Sequence, residues 1–153
     1  MGSNMLRKTL CLLLLCSGAT HAFDGARHYT ANRKGVRHTL AIEHWKVDAK
    51  GAPTFDYVYE QHKGTCTFRL AGHAIGLTEV VHGKVALVEY PRQDSKGRDL
   101  SSIATFDGGP VALSIPADGT YSDAGVVIRY TPEQRTRACD KGNEDGLWVS
   151  LYK

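Results

Sequence analysis

Residues 54–70 read TFDYVYEQHKGTCTFRL, and the fold turns on how that stretch alternates. Phe55, Tyr57 and Tyr59 fall on one parity, while Thr54, Asp56 and Glu60 share the other with Val58. A period of two belongs to a strand with one buried face and one wet face. Residues 61–64 interrupt the pattern as a turn, after which Cys66, Phe68 and Leu70 alternate with Thr65, Thr67 and Arg69. Two such strands joined through a glycine-containing turn predict an antiparallel hairpin. The aromatic stripe has the chemistry to stack on a sugar or anchor a protein, but the mostly polar opposite face of its strand assigns it to the core.

The text of strand and turn continues in both directions. On the N-terminal side, 36–47 (VRHTLAIEHWKV) is the longest candidate strand and ends at Asp48-Ala49-Lys50-Gly51. On the C-terminal side, 79–81 and 84–90 flank His82-Gly83, whose glycine suits a tight hairpin. Residues 85–88 are apolar on both faces, which predicts a central strand. Turns at 94–97 and 107–110 bound strands at 102–106 and 111–115, and 125–131 and 146–152 follow. Pro132 suits the first position of a short helix over 131–137. About eight short strands with Gly and Asp turns predict an all-β domain, an antiparallel β-sandwich or small β-barrel. Asp-x-Lys-Gly at Asp48 and Asp94, and Asp140-Lys141-Gly142, recur 46 residues apart. The segments that follow do not match in their apolar positions, so this is recurring turn chemistry and not an internal repeat.

Residues 1–22 have a different character. Arg7 and Lys8 precede an apolar run over 10–16 and a small, polar stretch ending at Ala22. A membrane span needs ~20 apolar residues, and this run is far shorter. Thr20 and Ala22 fit a small-x-small cleavage site, with Ser17 and Ala19 as a second cut, so the segment reads as a signal peptide cleaved near Ala22. Leu15 is too bulky for the position before an acylated cysteine, which disfavours a lipoprotein anchor at Cys16. Met5 is an alternative start to Met1. Residues 23–35 (FDGARHYTANRKG) show no apolar period and predict a flexible basic arm, leaving 36–153 as a single β domain. A periplasmic or secreted location follows, with no transmembrane segment once the leader is removed.

The whole chain of 153 residues has a formal charge of +3; loss of residues 1–22, with Arg7 and Lys8, leaves 131 residues and +1. That balance argues against a general nucleic-acid binder, which must neutralise several phosphates. Of the four cysteines, Cys11 and Cys16 lie in the leader. Cys66 and Cys139 remain, and an oxidising compartment predicts that they form one disulfide, with a nucleophilic thiol as the rival reading.

Chemistry is harder to place. His28, His38, His44, His62, His73 and His82 show no short metal-ligand spacing. His38 and His44 share strand parity, but six residues of strand is ~20 Å, too far for one metal. Residues 140–145 (DKGNED) put Gly142 where a calcium loop needs its second oxygen ligand. A nucleophile elbow, a His-Glu-x-x-His helix and a phosphate loop are absent, and Glu60, Glu79 and Glu89 form no assignable carboxylate pair. The expectation is no metal, no cofactor and a binding protein in preference to an enzyme. Tyr121 sits in a polar loop, 118–123, with no core to join. With Asp118 and Asp123 flanking it, this loop is the candidate partner surface, suited to the basic cleft of a hydrolase that handles anionic wall polymers.

A leader, one disulfide and about eight antiparallel strands are together similar in type to periplasmic lysozyme inhibitors and to periplasmic immunity proteins. The inhibitors' Ser-Gly-x-x-Tyr loop is absent, Gly119-Thr120-Tyr121 keeping only part of it, and no family is assigned. The resemblance in type implies an exported protein that binds another protein, such as a cell-wall hydrolase or toxin. A small secreted hydrolase, or a carbohydrate- or metal-binding module on the same scaffold, is the alternative.

Overall fold

The computed structural model describes residues 27–117, 123–141 and 151–152; the leader expected over 1–22 lies outside them. β1 (Arg27–Arg33), β2 (Val36–Val47), β3 (Pro53–Lys63) and β4 (Cys66–Gly76) are consecutive antiparallel neighbours. β5 (Thr78–Val81) and β6 (Lys84–Leu87) form a separate hairpin. β7 (Glu89–Gln93), β8 (Asp99–Asp107), β9 (Val111–Pro116) and β10 (Asp123–Ile128) follow, then helix α1 (Pro132–Arg137) and β11 (Leu151–Tyr152). The main sheet runs β4-β3-β2-β1-β11-β10-β9-β8 and curls until β4 meets β8, where Ile75 pairs with Asp107 and Gly76 with Phe106. Eight strands thus close a ring, and of the two architectures expected from the sequence the molecule takes the barrel. β7 extends from the closure along the N-terminal half of β8.

Alternation builds the interior as the sequence implied. Phe55, Tyr57 and Tyr59 are fully buried, and so are Leu40 and Ile42 of β2, Phe106 of β8 and Leu113 of β9. The Tyr57 hydroxyl donates to the Gly108 carbonyl at 2.7 Å, so its one polar atom is satisfied inside the core. Local chemistry sets the register of the hairpins. Lys34 and Gly35 both adopt positive φ, 49° and 77°, as the two-residue hairpin turn best matched to strand twist requires. The Asp48 and Asp94 turns are the same device twice. Each aspartate Oδ1 accepts the amides two and four residues on, at 2.8 and 2.9 Å. Asp140 is different: its carboxylate turns inward, accepting from the Tyr130 hydroxyl at 2.9 Å.

Three expectations need correction. The basic arm expected over 23–35 is, from Arg27 to Arg33, strand β1, paired with β2 along its whole length. Tyr29 provides the burial that the composition concealed. Residues 85–87 belong to β6, which is not central; it lies in the outlying hairpin, and Val85 is exposed. His38 and His44 do not share a face. The β2–β3 register shifts between Glu43 and Lys46, His44 takes φ 54°, and this bulge leaves His38 buried, His44 exposed and Trp45 turned toward Phe55.

One end of the barrel is sealed. Thr131 and Gln134 form a reciprocal capping box that starts α1 at Pro132, and the chain then delivers Ala138 and Cys139 into the core. Cys139 is disulfide-bonded to Cys66 across 73 residues, a loop whose closure removes about 4 kcal/mol of unfolded-chain entropy in the loop model. Gln61 organises the seal. Its Oε1 accepts the Cys139 amide at 2.9 Å, and its Nε2 donates to the hydroxyls of Tyr130 at 2.6 Å and Tyr59 at 3.1 Å. The Tyr59 hydroxyl meets His38 Nδ1 at 2.6 Å. Burial, with the Asp140 carboxylate as a lesser cause, pushes both tyrosine hydroxyls far above their ordinary value, so they stay neutral donors and acceptors. Gln61→Ala leaves the Cys139 amide and the tyrosines without their buried partner. The expected loss is about 3 kcal/mol in urea unfolding; a loss within ~0.5 kcal/mol, the range of ordinary surface substitutions, would show that the seal does not rest on this side chain.

Candidate functional site

The opposite end is built differently. β2, β4 and β9 finish there, and β10 begins there, as their registers require. An apolar cavity of about 90 Å³ opens at this end, between the ends of β2 and β9, the inner face of β8 and the β6–β7 segment. Trp45 and Phe106 form one aromatic wall, ring centroids 5.5 Å apart and edge to face, with Phe55 stacked behind Trp45 at 5.4 Å. Leu87, Ile115, Pro116 and Ala117 provide the aliphatic side. Among the described residues of the lining, Glu89, on β7, is the one that is charged. Its Oε2 accepts the Ser102 hydroxyl at 2.6 Å, which fixes the carboxylate at the opening.

The β5–β6 hairpin stands over this end. Val80 pairs with Val85, and Thr78 with Leu87, so these four side chains share one face, and Leu87 at its base lines the cavity. Gly51, in the β2–β3 turn, sits beneath Val85; a Cβ there would meet the valine Cβ at 3.3 Å. Farther out the apolar surface is uncovered, with Val80 72% and Val47 59% exposed. Monomeric domains rarely gather exposed apolar residues at one rim without a use for them.

A second cluster lies on the outer wall. Asp56 accepts from two imidazoles, its Oδ1 2.8 Å from His73 Nδ1 and its Oδ2 2.8 Å from His44 Nδ1. A carboxylate can only accept, so both Nδ1 atoms donate and Nε2 remains each ring's other polar atom. The bonds from His73 and then His44 hold the Asp56 carboxyl below its ordinary 3.8. All three side chains are exposed, and among the described residues no group of three or more His, Cys, Asp or Glu converges as metal ligands would. A wider depression of about 360 Å³ crosses β1–β3, because Ala41 and Val58 are short. Glu60, which lines it, is already engaged by His62 and Arg69.

Of the loop expected to meet a partner, Asp118 and Tyr121 lie outside the described residues. Asp123 opens β10, half-buried, with Arg92 Nη1 at 3.8 Å. Ala117, just before that loop, lines the cavity, so both flanks of the expected surface belong to the open end. Trp45, Leu87 and Glu89 were not legible as site residues. Strict alternation turns Trp45 outward, and only the bulge at His44 brings it in. Cys66 and Cys139 form the expected disulfide. In comparisons with family models, with curated proteins and with solved structures, nothing matches this chain.

The Asp56 bonds carry a pH consequence. A carboxyl depressed in the folded state stabilises it fully above the unfolded value of 3.8, and that contribution fades as pH falls through the lower folded value. In the His44→Ala, His73→Ala double variant, the Asp56 midpoint followed by NMR is expected to rise toward 3.8. A midpoint that does not move would show that the imidazoles do not hold the carboxylate in solution.

Proposed function

We propose that the protein is exported and acts outside the cytoplasm as a protein-binding domain, an inhibitor or immunity-type protein for a partner such as a cell-wall hydrolase or toxin. The observation that carries this reading is the inequality of the two barrel ends. One is closed by a stapled segment and a satisfied polar network. The other joins an apolar cavity to a hairpin that leaves Val80 72% exposed. Apolar side chains around a central pocket, with a polar rim, are the anatomy of a protein interface.

The disulfide between Cys66 and Cys139 supports an oxidising compartment, in keeping with the leader expected over 1–22. No helix among the described residues is long and apolar enough to cross a membrane. A small secreted hydrolase is supported less well. The constellation of Asp56 with His44 and His73 stands exposed on the outer wall, where nothing among the described residues excludes water from a reaction.

A photo-crosslinking residue at Val80 is expected to label a wall hydrolase or toxin in envelope extract, whereas the same probe at Lys63, exposed at the sealed end, labels none. Val80→Asp should weaken the purified pair about tenfold or more, with unchanged unfolding because the side chain is exposed. Equal labelling at both positions, or turnover of a wall substrate by the protein itself, would sink the reading.

A further inference from the structure

From the volume, lining and charge of the open-end cavity, we infer that it receives one short aliphatic side chain of a partner protein whose adjacent residue is lysine or arginine. The inference rests on the protein-binding reading and specifies its chemistry. A water occupies ~30 Å³ of liquid, and a benzene ring is held in cavities of ~150 Å³. At about 90 Å³ the cavity is larger than a single water needs and matches a group the size of a valine or leucine side chain.

Ala104, Phe106 and Ile115 offer that group only carbon side chains, which favours an aliphatic group over a polar one at the floor of the cavity. Glu89 sets the neighbour. It is the one ionic residue among the described residues of the lining, and Ser102 occupies its Oε2. Among the described residues no side chain takes Oε1, which is available to a cation from outside. Charge-assisted bonds of this kind are about twice as strong as neutral ones, and this one would fix the direction in which the segment crosses the opening. Val47, Val80 and Val85 extend the apolar surface beyond the cavity for the residues on either side.

The test pans short random peptides, displayed on phage, against the full chain and measures synthetic winners by calorimetry. Winners are expected to place Val, Leu or Ile beside Lys or Arg. Glu89→Gln, at an exposed position, should weaken them about tenfold, and a winner whose basic residue is replaced by norleucine should no longer distinguish the two proteins. Ala104→Leu, which fills the cavity, should abolish binding, with thermal unfolding confirming that the variant folds. Winners lacking the apolar–basic pair, or winners held equally by Glu89→Gln, would overturn the inference. A hydrolase still captured through Val80 in that case leaves the protein-binding reading intact and removes only the cavity's part in it. Peptides bound as expected without any partner sensitive to Val80 would support the cavity and remove that reading.

Discussion

The barrel closes where β4 meets β8, and Gly76 stands at that meeting point, closely hemmed in by its neighbours. A Cβ on Gly76 would stand 2.6 Å from Leu87 Cδ2, and 3.2 Å from both Phe106 Cε1 and the Pro53 carbonyl oxygen, well inside the ~3.5–4.0 Å at which carbon atoms normally rest. With glycine there, β4 reaches β8, and the Leu77 amide continues the contact onto the Thr105 carbonyl at 2.9 Å. The Leu77 carbonyl then accepts from Val88, also at 2.9 Å, and the chain is turned out of the wall into β5 and β6. Closure, the start of the outlying hairpin and Leu87 thus meet at one point of the wall.

The two ends of the barrel solve opposite problems. Backbone groups and side chains at a barrel end lose their sheet neighbours, and buried polar atoms there must find other partners. At the sealed end Gln61 supplies them, using both ends of its carboxamide on the segment that follows α1. Removing one partner from such a network is costly because the others stay buried and unsatisfied. At the open end there is little polar demand, since carbon lines the cavity and Glu89 faces water. The polar network that secures the sealed end and the apolar surface of the open end are thereby placed on different sets of residues.

Much of the wall was legible from short-range pattern. The alternation of 54–60, the bounds of β2 and the start of α1 at Pro132 follow from period, turn residues and proline placement, each of which acts over a few residues. Where the reading failed, the cause was non-local. Val85 and Leu87 look central because apolar residues occupy both faces, yet their hairpin lies outside the barrel wall, which leaves Val85 exposed and Leu87 half-buried against the core. β1 escaped notice because Tyr29 alone carries most of its burial. The cavity could not be read at all, since it draws Trp45, Leu87, Glu89 and Ile115 from four strands and needs the bulge at His44 to turn Trp45 inward.

Closure at Gly76 is the claim on which the open end depends, and amide hydrogen exchange at Leu77 tests it most directly. A two-stranded hairpin outside the barrel opens locally, whereas an amide bonded across the closure exchanges only with the barrel itself. The account predicts that Leu77 is protected to the level of the β3 core amides of Tyr57 and Tyr59, while Val80 exchanges much faster. A Leu77 amide that exchanges as fast as Val80 would mean an open sheet with no mouth between β4 and β8, and would contradict the account.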